Sequence, residues 1–110
     1  MAIYTEGRQM RIFISGPITG TKDYLERFAA AERELSRRGY KPLNPAKVLA
    51  VVPFELSWEA CMRVTRGLLD ACDAIYMLKG WENSAGAIVE HEEAIHYGLE
   101  IRYEDNEQAD

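Results

Sequence analysis

The chain has 110 residues, 47% of them hydrophobic and 28% charged, a length and balance that suit one domain with its own core. Its formal net charge of −5 argues against a surface for polymeric nucleic acid and leaves room only for a local small-anion site. No apolar run approaches the ~18 residues that cross a bilayer, and the leader MAIYTEGRQM lacks the apolar stretch of a secretory signal, so we expect no membrane partner and a cytoplasmic chain with Cys61 and Cys72 reduced.

Residues 1–9 read as a flexible leading segment, 10–103 as the folded domain, and 104–110, EDNEQAD, as an acidic tail with nothing to bury. The domain opens on MRIFIS (10–15), a short apolar run that stops at Gly16-Pro17 and suits a buried strand. Over 22–38 the residues Tyr24, Leu25, Phe28, Ala31, Glu32 and Leu35 recur at spacings of three and four, which predicts an amphipathic helix closed by Gly39. YKPLNP follows as a brief second strand, then a loop with Pro45 and Pro53. Ser57 caps the next helix, whose stripe Trp58, Met62, Thr65, Leu69, Cys72 keeps helical phase. DAIYML (73–78) and LEIRYE (99–104) are the third and fourth strands, with a third long helix between them from Ser84.

Alternating strands and helices, with strands poor in polar alternation, predict a small Rossmann-like (flavodoxin-like) α/β fold: an open parallel sheet flanked by helices on both faces. Such sheets bind ligands beyond the carboxyl ends of their strands. The loops placed there are ISGPITG, LNPAK and LKGWENSAG, with Ser15, Gly16, Pro17, Asn44, Trp81, Ser84, Ala85 and Gly86 as candidate substrate-binding residues. The Gly-Pro turn reads equally as a plain tight turn or as one wall of a cleft. Neither a Walker loop nor GxGxxG is present in ISGPITG.

On a helical wheel from Ala87, Ala94 and Gly98 fall within about 20°, with Ile88, His91 and Ile95 to one side as a buried stripe. Glu92, Glu93 and His96 point away and are expected in water. Glu90 lies about 60° to the other side of Ala87, at the stripe's edge, where a carboxylate is either a paired structural group or a perturbed functional one. Ser84, Ala85 and Gly86 open the helix, and N–H groups at a helix start are ready donors to an anion. Six residues separate Ser84 from Glu90, roughly 9 Å along the axis, a span that fits a nucleotide's phosphate and its anomeric carbon.

His91 and His96, five apart, and Cys61 and Cys72, eleven apart, have no metal-ligand spacing, so no metal is expected. Trp58 on its apolar stripe reads as core, His91 as a satisfied core-edge histidine, and Cys72 as packing. Trp81 reads as a base-stacking group or as a lid or subunit contact.

The segments IFISGPITG, NPA and CDAIYMLKGWENSAGAIVEHEEA, spanning roughly 10 to 103, resemble the DUF4406 family of the nucleoside 2-deoxyribosyltransferase-like superfamily, which includes 2′-deoxynucleoside 5′-phosphate N-hydrolases. The most specific element is Ser-x-Gly-x-x-x-Glu-x-x-x-Ala, here Ser84, Gly86, Glu90 and Ala94. The resemblance implies an N-glycosidase or deoxyribosyltransferase in which Glu90 attacks the anomeric carbon and Ser84 with its neighbouring backbone holds a 5′-phosphate. It implies no cofactor, and a homodimer or higher homo-oligomer as the working form. Where many superfamily members carry a tyrosine and an aspartate, this chain has Phe13 and Thr65. Those two positions favour the alternative of a protein that binds or sequesters a nucleoside or nucleotide without cutting it. A purely structural domain is the third reading.

Overall fold

The structure is a computed structural model in which residues 9–104 are described. Most of the leading segment and of the acidic tail lies outside the described residues. Their inner ends are anchored: Gln9 donates to the Gly39 carbonyl over 3.0 Å, and Glu104 accepts the Lys79 N–H over 2.7 Å.

Four strands, β1 (Arg11–Ser15), β2 (Lys41–Leu43), β3 (Ala74–Met77) and β4 (Glu100–Tyr103), form one parallel sheet in the order β2-β1-β3-β4. Parallel pairing requires crossovers, which α1 (Tyr24–Arg37), α3 (Trp58–Asp70) and α4 (Ala85–His96) supply. The expected small α/β, Rossmann-like architecture is what the chain adopts.

Two cores lie on opposite faces of the sheet. Ile12 and Ile14 of β1 join Phe28, Ala31 and Leu35 of α1 on one face. Phe13, one residue out of phase with them, joins Leu69 of α3 and Ala87 and Ala94 of α4 on the other. The two-residue period of the strand thus assigns each β1 side chain to a layer, and Ser15 follows Phe13 toward α4.

Helix ends follow local chemistry. The turns after α1 and α4 are Schellman closures: Tyr40 N–H reaches the Leu35 carbonyl at 3.0 Å and Leu99 N–H the Ala94 carbonyl at 2.9 Å, with Gly39 and Gly98 at φ +95° and +72°. Gly98 therefore terminates α4 and is exposed, and it is no part of a buried stripe. A short helix, α2 (Pro45–Ala50), replaces the expected loop after β2. Its signal was present in NPA: Asn44 Oδ1 accepts the N–H groups of Ala46 and Lys47, and Pro45 stands in the first turn, where its missing N–H costs nothing.

Three further expectations are corrected. Leu25 is half exposed, because the buried arc of α1 is narrowed to Phe28, Ala31 and Leu35. Ile95 is also exposed, because the buried arc of α4 runs through Ala87, Glu90 and Ala94 and so is rotated toward the glutamate. Glu93 does not simply face water: both its oxygens accept from Arg66 of α3, at 2.9 and 3.0 Å, tying the two helices on that face together.

Candidate functional site

The order β2-β1-β3-β4 makes the chain leave β1 toward one side and β3 toward the other, which opens a crevice beyond their carboxyl ends. A cleft of about 760 Å³ occupies that position. Gly16 and Pro17 form one wall, Met62 and Thr65 of α3 another, and Ser84 to Ala87 the start of α4, with Glu90 at the inner end. A second depression of about 670 Å³ lies along α1, among Glu32, Arg33, Arg37 and Lys47, where Lys47 pairs with Glu32 and Arg37 with the neighbouring Glu34, and no buried acid or nucleophile is present.

Gly16 is required where it stands. A Cβ there would lie 2.8 Å from the Cβ of Leu78, the residue that continues β3 and whose N–H bonds the Ser15 carbonyl at 2.8 Å. The backbone after β1 therefore runs in direct contact with the end of β3. Gly80, at φ +87°, turns the β3 loop back against Pro17, whose Cγ is 3.5 Å from where a Gly80 Cβ would stand. These two glycines bring the ISGPITG and LKGWENSAG loops together.

Glu90 is buried, with 7% of its surface exposed, and its Oε1 accepts a hydrogen bond from Ser15 Oγ at 2.6 Å. Burial pushes its carboxyl pKa up from 4.5 to about 6, and the hydroxyls of Ser15 and Thr65 partly oppose that rise. The Thr65 hydroxyl also lies 3.4 Å from the Met62 carbonyl, a long contact for a group with a single proton to give. A carboxylic acid poised near neutrality at the closed end of a cleft is suited to act as nucleophile, base or acid.

At the other end of the same helix face, Ser84 caps α4 by accepting the Ala87 N–H at 3.2 Å. The N–H groups of Ala85 and Gly86 belong to the first turn, which no carbonyl of the helix can reach. Gly86 keeps the helix start close to α3: a Cβ would crowd Met62 Sδ at 3.2 Å and reach ordinary contact with Trp58 Nε1 at 3.8 Å.

The structure thus brings Gly16, Pro17, Ser84, Ala85, Gly86 and Glu90 to one cleft, whereas Ser15 is fully buried, does not line it, and reaches it only through its hydrogen bond to Glu90. Two candidates stand elsewhere. Asn44 is buried and spent as the α2 cap, its Nδ2 donating to Glu32 at 3.1 Å; of LNPAK only Pro45 reaches the cleft. Trp81 stacks on His91 with ring centroids 4.2 Å apart and packs against the α3/α4 core instead of lining the cleft. His91 in turn shares a 2.8 Å hydrogen bond with the Tyr103 hydroxyl, which satisfies it as a core-edge histidine.

The exchange has a counterpart: Trp58, expected in the core, is 47% exposed on the cleft wall. As the first residue of α3 it stands on the turn that overhangs the cleft, above the buried part of the stripe at Met62, Thr65 and Leu69. Thr65 also gains a role, since its hydroxyl sits by the Glu90 carboxylate. Phe13 is wholly buried between α3 and α4 and does not line the cleft; the hydroxyl nearest the acid from β1 comes two residues later, from Ser15.

Among the described residues no helix is long and apolar enough to cross a membrane. No curated protein matches the chain. The family model described as Domain of unknown function (DUF4406) matches residues 10–103, which takes in every strand and helix that builds the cleft. The chain belongs to the DUF4406 family.

Proposed function

We propose that this protein is an N-glycosidase or deoxyribosyltransferase that cleaves the N-glycosidic bond of a (deoxy)nucleoside or nucleoside 5′-monophosphate. The observation that supports it most is the buried Glu90 carboxyl at the end of the cleft, oriented by Ser15 at 2.6 Å and poised to ionise near neutral pH. In this reading a Glu90 oxygen forms a bond to the anomeric carbon as the bond to the base breaks. The base leaves with the electron pair and takes up a proton. Water, or a second base, then attacks the glycosyl-enzyme and frees the carboxylate. A carboxylate nucleophile divides one difficult displacement into two, each through an oxocarbenium-like transition state. Ser84, Ala85 and Gly86 take the phosphate or 5′ end, as the resemblance to the nucleoside 2-deoxyribosyltransferase-like superfamily implies.

The test is base release. A panel of deoxynucleosides and their 5′-monophosphates is incubated with the protein and with Glu90→Ala, and free base is followed by chromatography. Release by the wild type that the variant loses supports the enzyme. A second reading, a protein that binds or sequesters the same ligands, draws on Phe13 and Thr65, which place no phenol or carboxylate beside Glu90. Thermal stabilisation by a nucleotide with no base release in either protein would establish that reading and sink catalysis.

The cytoplasm is the proposed location, a compartment that suits the free thiols of Cys61 and Cys72. A homodimer or larger homo-oligomer is the proposed state, because Val51 and Phe54, at 80% and 68% exposure, leave large apolar side chains on the surface in the segment between the cleft residues Leu49 and Leu56. A monomer in light scattering at micromolar concentration would overturn it.

A further inference from the structure

Arg27 lies in the first turn of α1, yet its side chain reaches the mouth of the cleft beside β3. Its Nη2 donates to the Lys79 carbonyl at 2.8 Å and stands 3.8 Å from Glu104 Oε1. The same Glu104 oxygen accepts the Lys79 N–H at 2.7 Å. Arg27 and Lys79 line the cleft, while Glu104 lies behind them at the end of β4.

The guanidinium is therefore aimed from one edge only. A carbonyl accepts from Nη2 and a carboxylate stands near it, whereas Nε and Nη1 have no protein partner among the described residues. A planar fork with an unused edge on a cleft wall is the arrangement that accepts an oxyanion. The Glu104 carboxylate, beyond hydrogen-bonding distance, offsets the Arg27 charge incompletely. Residues 79 to 84 join this cation to the start of α4: Lys79 holds Arg27, and Ser84 caps the helix.

We propose that Arg27 is a specificity-determining residue that recognises a phosphate monoester on the ligand, and that Glu104 sets the strength of that recognition by competing for the guanidinium. The inference rests on reading the cleft as a nucleoside or nucleotide site. It separates phosphorylated from unphosphorylated ligands, a choice that Glu90 and Ser15 do not make.

The test uses calorimetric titration of a deoxynucleoside and its 5′-monophosphate into a Glu90→Gln background, which prevents turnover. Arg27→Ala, Arg27→Lys and Glu104→Gln are added one at a time. Arg27→Ala should weaken the monophosphate about tenfold or more and change the nucleoside by less than about twofold, the scale of one charge-assisted hydrogen bond. Arg27→Lys should recover part of the loss. Glu104→Gln retains an acceptor for the Lys79 N–H while removing the competing charge, so it should tighten the monophosphate alone. A structural Arg27 would weaken both ligands equally, and that result overturns the proposal. So does a monophosphate preference that survives Arg27→Ala, which leaves the nucleotide reading standing. Binding of neither ligand to the Glu90→Gln background and to the wild-type chain overturns the nucleotide reading and the Arg27 assignment with it.

Discussion

Ser15 at the end of β1 donates a 2.6 Å hydrogen bond to Oε1 of Glu90 in the middle of α4, joining residues 75 apart in the chain. A donor of this kind favours the ionised carboxylate, against the burial that disfavours it.

Replacing Ser15 with Ala removes that support and should raise the pH at which Glu90 ionises. If the ionised form is the nucleophile, the wild-type rate of base release falls as pH drops through about 6. In Ser15→Ala the acid limb of the pH-rate profile should move to higher pH. An unmoved limb with a uniformly lower rate would mean that Ser15 acts through packing alone.

The same carboxyl carries a stability cost with a defined sign. Its folded pKa, about 6, exceeds the ordinary 4.5, so the folded state holds the proton more tightly than the unfolded chain. The contribution favouring the fold is complete below about 4.5 and lost as pH rises through about 6. Above that, wild type should be less stable than Glu90→Gln by on the order of 2 kcal/mol, relative to their difference at low pH. Urea unfolding of both proteins at pH 4 and pH 8, compared as a difference, cancels the other titrating groups, on the order-of-magnitude logic of linkage. A pH-independent difference would refute the shift.

The two tryptophans should separate binding from stability. Trp81→Ala removes the stack on His91 and part of the α3/α4 core, and should destabilise by roughly 2 kcal/mol or more with ligand affinity preserved in the folded fraction. Trp58→Ala trims an exposed cleft wall and should weaken ligand binding with a stability change below about 1 kcal/mol. Thermal melts and ligand titrations of both variants check the pair, and the reverse pattern would place the ligand at Trp81.

Gly16→Ala should damage fold and binding together. Its new methyl meets the Leu78 Cβ at 2.8 Å, an atom that every residue except glycine retains, so trimming Leu78 to Ala brings no relief. Overpacking at such a contact costs about 1–3 kcal/mol, and because Gly16 is itself a cleft wall the displaced loop should lose ligand affinity as well. Denaturant midpoints and ligand titration measure the two effects. A variant as stable as wild type would show that the loop has room to yield.

Much of this was legible in the sequence, because the long elements carry strong periodicity. MRIFIS, the stripe of α3 and DAIYML announce their structures through apolar spacing, and Gly39 marks a real helix end. Glu90 and Ser84 came from helical phase and from spacing along one element, which is local information. The Ser15 contact with Glu90 could not be read that way, since it depends on two strands and a helix meeting, although the parity of Phe13 and Ser15 on β1 already put them on one face. The tryptophans changed places for a related reason: a stripe tells which way a residue points, but Trp58 stands at the end of α3 where the packed layer stops. Asn44-Pro45 reads as a loop in sequence, because a helix of only 6 residues is too short to show a period.

The alternation of β1 between two cores makes its alignment unusually intolerant of error. Were β1 to slip by one residue against β3, the isoleucines would face the acid and Ser15 would be carried into the apolar layer under α1. Glu90 would then be enclosed without the Ser15 donor, and a polar hydroxyl would be buried without its acceptor. Beyond any chemistry it performs, the buried glutamate acts as a proofreader of strand register: a misaligned sheet is penalised on both faces at once, and the native alignment is the one that assembles the cleft.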